Sequence, residues 1–144
     1  MNELTIEDIG SQPDELLHFP SFLFSAMARR GVGTVEASLG SVEGEPLAPI
    51  IPWQYYSRTT RTTETIAEVP RSAFRPILAR VAFFCGINAY GGEVSFAAQW
   101  PVCGSPVLHR FSVFLCNEPT MAFWIRIYLY GIDGFYPFPV SRDA

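Results

Sequence analysis

The chain has 144 residues, a net charge of −4 from 14 acidic and 10 basic side chains, and 49% hydrophobic and 15% aromatic content. A chain this apolar and this poor in charge is not disordered. Its length suits one domain, 1–144, with flexible ends at 1–10 and 140–144, and its acidity disfavours nucleic acid as a partner. All ten basic residues are Arg. Without lysine there is no Schiff-base nucleophile and no phosphate-loop cation, whereas Arg suits bidentate and stacked contacts.

Residues 1–50 carry eight acids against Arg29 and Arg30, and residues 51–144 carry eight Arg against six acids. That asymmetry suits packing within the chain or pairing between two copies.

Ser11-Gln12-Pro13-Asp14-Glu15 is a helix start, with a capping hydroxyl, a first-turn proline and acids at the positive end of the dipole. Leu16, Phe19, Leu23 and Met27 share a helical face, Pro20 predicts a kink or two short helices, and Arg29-Arg30-Gly31 is a stop. The apolar run 16–28 follows an acidic segment, so it reads as a buried helix and not as a signal sequence.

Residues 33–40 predict a short strand and 41–52 a loop. Trp53 to Val69, rich in Tyr and Thr and free of Gly and Pro, predicts one long strand. Its middle is polar on both faces, which makes it an edge or an arm open to exchange between copies. Arg58 and Arg61 in this tract could hold an anion, but edge protection by charge explains them, with Glu64 and Glu68 sharing a face with Arg58.

Phe74, Ile77, Leu78, Val81, Ala82 and Cys85 form an amphipathic stripe, with Ser72 as expected cap and Gly86 as stop. The last third alternates with period two over three strands. The first hairpin should set Trp100 opposite Val107, Ala98 opposite His109 and Phe96 opposite Phe111. For the second, Arg110 facing Tyr128 with Phe114 facing Trp124 is preferred to Arg110 facing Arg126, because like charges opposed are destabilising.

The expected fold is therefore α+β: a single antiparallel sheet of about four to five strands, ending in the three-strand meander, with two helices on one face. This element order resembles in topology the cone-shaped folds of the nuclear-transport-factor-2-like kind and the small acidic secretion chaperones. Topology alone carries no function.

The informative residues lie on the meander face turned away from the helices. Arg110, Phe114, Trp124, Arg126, Tyr128 and Tyr130 alternate onto it, and these types concentrate at interface hot spots. They predict a protein-binding face, pairing with a second copy or another protein, unless the first helix or the aromatic tail covers it. The function expected is a non-enzymatic interaction module of the adaptor, chaperone or immunity type. The alternative is a small ligand or minor enzymatic site in an aromatic-lined pocket between sheet and helices, with His109 and Trp100 lining it and Glu93 or Asp133 as partner.

His109 is the one weak catalytic candidate; both it and His18 read as core histidines. Cys103, His109 and Cys116 match no metal spacing, three cysteines build no disulfide framework, and neither cofactor nor metal is expected. No apolar stretch reaches membrane-spanning length. A reducing, cytoplasmic setting is expected.

Overall fold

The computed structural model describes residues 13–40, 48–57, 59–102 and 105–130. Helix α1 spans Pro13–Arg30 and α2 spans Arg71–Cys85. Strands are β1 (Thr34–Ser38), β2 (Ile50–Ser57), β3 (Thr62–Pro70), β4 (Gly91–Val102), β5 (Ser105–Glu118) and β6 (Ala122–Leu129). The fold is α+β with one antiparallel sheet, and among the described residues the sheet has six strands in the order β3-β2-β1-β6-β5-β4. The excess over the expected four to five comes from residues 50–70. They fold back as the hairpin β2–β3 instead of forming one long edge strand.

That hairpin was hidden because its turn uses neither Gly nor Pro. Arg61 takes the left-handed conformation, φ 60°, and its N–H reaches the Ser57 carbonyl at 2.7 Å. The polar middle of the tract is the hairpin tip. Strand β2 also starts earlier than expected, at Ile50, and takes in Pro52.

A bulge further along the hairpin has a second effect. Gln54 pairs with Thr65 while Trp53 pairs with Ala67, so Ile66 is the extra residue and is buried. The alternation slips there. Glu64, opposite Tyr55, and Glu68, opposite Pro52, end on opposite faces instead of the shared face expected. Arg58 lies outside the described residues.

Helix α1 is continuous through the buried Pro20, not two short helices. One lost donor is tolerated in an 18-residue helix whose Phe19, Leu23 and Met27 are fully buried. Gly31 closes it at φ 67°, and the Val32 N–H reaches back to the Met27 carbonyl at 3.0 Å. The expected Ser11 cap lies outside the described residues.

Helix α2 begins one residue before Ser72. Pro70 holds the cap position in extended backbone with no side-chain cap, so Pro76 sits in the second turn. Gly86 ends the helix in the left-handed region, with Ile87 N–H on the Ala82 carbonyl at 2.8 Å.

Both helices pack on one face of the sheet. Trp53 sits between Phe19 and Phe74, with ring centroids at 5.0 and 5.8 Å, and Phe24 meets Phe111 at 4.9 Å. Val35, Ile51, Val113, Ile125 and Ile127 complete this core.

The first meander hairpin has the expected register, Trp100 to Val107, Ala98 to His109 and Phe96 to Phe111. Pairing continues past Trp100 and Val107 to Val102 and Ser105. The second hairpin differs from the preferred register by two residues and from the alternative by four: Phe114 faces Arg126 and Cys116 faces Trp124. Its turn is the tight Pro119-Thr120-Met121, closed by Met121 N–H on the Glu118 carbonyl at 3.0 Å. The position of this turn sets the hairpin register ahead of side-chain pairing.

Candidate functional site

Alternation along β5 and β6 places Phe114, Trp124, Arg126 and Tyr128 on the face opposite the helices. Helix α1 therefore does not cover them, and Trp124 is 37% exposed. Register decides their neighbours. Strand β1 sets Glu36 beside Arg126 and Ser38 beside Trp124, while β5 sets Phe114 beside Arg126 from the other side. The Arg126 Nε lies 3.4 Å from a Glu36 carboxylate oxygen, and both side chains are about half exposed. Phe114 meets Tyr128 edge-on at 5.8 Å and 84°.

At the β5–β4 end the same face carries a hydroxyl relay. Ser112 Oγ is 2.6 Å from Ser95 Oγ and 2.7 Å from the Tyr130 hydroxyl. Ser112 is only 1% exposed although it points away from the helices. Tyr130 donates its N–H to the Arg110 carbonyl at 3.0 Å, which carries the β5–β6 ladder past the end of β6.

A groove of about 540 Å³ runs along this face, lined by Glu36, Ser38, Pro52, Gln54, Trp124 and Arg126. A second, of about 300 Å³, is bounded by Ser95, Phe96, Ala97 and Arg110. The six residues singled out by alternation lie side by side as a strip on β5 and β6, with Tyr130 just past the end of β6, and β1 extends the same face with Glu36 and Ser38. Glu36 and Gln54 were missed as members of it. Alternation put Ser95 and Ser112 on this face, but only the true register shows that Ser112 lies within reach of Tyr130. Glu36 had no assigned partner because nothing in a five-residue strand says which strand it joins.

Chemically the strip offers ring faces, two guanidinium groups and hydroxyls.

The other candidates disperse. His109 points toward the helices, is 9% exposed, and lies 6.4 Å from the Phe111 ring. Its Nε2 has no hydrogen-bond partner among the described residues. Desolvation lowers its pKa from the ordinary 6.5. Glu93, on the outer face of β4, cannot orient it, and the Trp100 side chain and Asp133 lie outside the described residues.

His18 is exposed on α1 and is not a core residue. Cys116 and His109 point to opposite faces of β5, so they do not share a ligand set. Burial pushes the Cys85 thiol up to about 12, which leaves it an unreactive thiol. Among the described residues no group of three or more His, Cys, Asp or Glu is placed to hold a metal ion. No described helix is long and apolar enough to cross a membrane.

A separate polar cluster sits at the tip of the β2–β3 hairpin. The Tyr55 hydroxyl donates to Glu64 at 2.9 Å, and Thr60 donates to the other Glu64 oxygen at 2.7 Å. Those two bonds, Thr60 first, lower the Glu64 pKa from its ordinary value. The cluster pins the turn.

The chain matches no protein-family model, and no curated protein matches it in sequence.

Proposed function

We propose that this chain is a non-enzymatic protein-interaction module of the adaptor, chaperone or immunity type, and that it associates with a second copy through the strip formed by Arg110, Phe114, Trp124, Arg126, Tyr128 and Tyr130. One observation carries this reading: large aromatic and Arg side chains stand together on the sheet face that the helices leave open. A sheet face meant only for solvent would alternate to small polar and charged residues. Trp, Tyr and Arg are the types that dominate binding energy once desolvated. The free thiols of Cys85 and Cys116 suit a reducing, cytoplasmic setting.

The test is solution mass by light scattering, with Trp124→Ala as the probe. Trp124 is 37% exposed on the face turned away from the helices, so its truncation should leave the fold intact and weaken association by about 2 kcal/mol or more. A variant that unfolds, or one that associates as tightly as the parent, would remove this reading.

A further inference from the structure

The two edges of the sheet are built differently. Strand β3 carries Glu64 and Glu68, breaks register with its partner at Ile66, and ends in Pro70. Those are the devices that keep a sheet edge from pairing with another chain. Strand β4 has twelve residues, and its pairing with β5 runs from Gly91 to Val102 without a register shift. Its one charged residue is Glu93.

Which backbone groups face outward follows from one hydrogen bond. Asn117 donates its N–H to the Tyr90 carbonyl at 2.7 Å. In an antiparallel pair the bonded positions alternate. The even-numbered residues from Gly92 to Trp100 thus bond to β5, and the odd-numbered ones turn their N–H and C=O outward. Gly91 confirms the phase, because its N–H goes instead to the Asn88 carbonyl at 3.0 Å. Pro101, which has no N–H to offer, falls at an outward position. Glu93, Ser95, Ala97 and Gln99 remain with both groups pointing away from the sheet, and β4 has no second strand neighbour among the described residues.

We infer that this edge pairs with the same edge of a second copy, antiparallel about a two-fold axis at Phe96. Strand β4 is complementary to itself in that register. Glu93 then faces Gln99 of the second copy and Ser95 faces its Ala97, so all four open residues of each strand exchange hydrogen bonds and Pro101 is left outside the paired core. Glu93 never meets its counterpart. Val94, Phe96 and Ala98 of both copies fall on the helix side, where Phe96 already packs edge-on against Phe24 at 5.5 Å and Phe84, 41% exposed, stacks on Phe24 at 5.8 Å. The second copy closes an aromatic cluster that is open on one side. The two sheets become one continuous sheet. This edge is separate from the outer face, and the inference stands without the reading proposed above.

Two measurements test it. In hydrogen exchange by NMR, the amides of Glu93, Ser95, Ala97 and Gln99 should be protected to within about tenfold of Val94, Phe96 and Ala98. In light scattering, Ala97→Pro removes an outward N–H without touching the β4–β5 ladder, and Ala97→Glu sets a carboxylate diagonal to Glu93 of the second copy. Both should halve the mass with far-UV circular dichroism unchanged, and Trp124→Ala should not abolish edge pairing. Fast exchange at the odd-numbered amides beside slow exchange at the even-numbered ones overturns the inference. So does protection of the odd-numbered amides in a monomer, which would mean that the chain covers its own edge. A mass that responds to Trp124→Ala and to neither Ala97 variant overturns it while leaving the outer-face reading intact.

Discussion

Asn117 and Arg75, 42 residues apart, exchange two hydrogen bonds: Arg75 Nε donates to Asn117 Oδ1 at 3.3 Å, and Asn117 Nδ2 donates to the Arg75 carbonyl at 3.4 Å. The same Nδ2 reaches the Ala89 carbonyl, also at 3.4 Å. One buried amide thus fastens the second turn of α2, the loop before β4 and the end of β5. The Arg75 guanidinium also lies over the Phe123 ring, 4.5 Å from its centre.

Asn117→Leu should accordingly cost about 1–3 kcal/mol, because it removes the three hydrogen bonds this buried amide makes to Arg75 Nε, the Arg75 carbonyl and the Ala89 carbonyl. Urea denaturation followed by tryptophan fluorescence measures it. A cost below about 0.5 kcal/mol would mean that water satisfies those groups as well as Asn117 does.

Gly91 is held where a side chain does not fit. Its φ is 153°, and a Cβ there would stand 2.9 Å from the Leu115 carbonyl oxygen, a backbone atom that cannot rotate away. Gly91→Ala should destabilise by about 1–3 kcal/mol. Gly40→Ala, where the nearest atom is Ser38 Oγ at 3.5 Å, should be neutral or stabilise by up to about 1 kcal/mol. Thermal melts of the two variants side by side give the comparison.

His109 predicts a pH dependence. Its folded-state pKa lies below the ordinary 6.5 because burial disfavours the imidazolium. Between the two values the unfolded chain binds more protons than the folded one, so stability falls as pH drops below 6.5 and is complete above it. His109→Gln should flatten the stability profile between about pH 5 and 6.5, a window above most carboxylate titration. An unchanged slope in that window would show that the imidazole stays solvated.

The Glu36–Arg126 pair is half exposed, so it should matter little to folding and more to recognition. Glu36→Gln should change stability by less than about 1 kcal/mol, with the difference vanishing at high salt. If the outer face binds a protein, the same variant frees the guanidinium and alters association in a salt-dependent way. Melts and sedimentation at two ionic strengths separate the effects.

Long periodic stretches were readable in the chain, and short-range geometry decided what was not. The stripe of α2 and the first meander hairpin, with Ala98 against His109, followed from spacing alone. The second hairpin slipped by two because its turn, Pro119-Thr120-Met121, sits one residue later than side-chain pairing suggested. The β2–β3 hairpin escaped because Arg61 adopts a conformation that usually announces itself with glycine. At the site, alternation found the aromatic and Arg strip, yet the Ser95–Ser112–Tyr130 relay needed the register. The neighbour of Glu36 depended on β1 joining β6, a contact that no local pattern encodes.

That junction also sets an order of events. Strand β1 lies near the front of the chain, and its partner β6 is the last of the six strands. While the chain is being made, α1 and the β1–β2–β3 meander emerge first and stand with one flank of β1 unpaired. The sheet can close only when β6 has cleared the ribosome. Closing so distant a contact makes the final step slow relative to hairpin formation, and it leaves the nascent front half exposed to capture or aggregation for as long as the rear half takes to be synthesised.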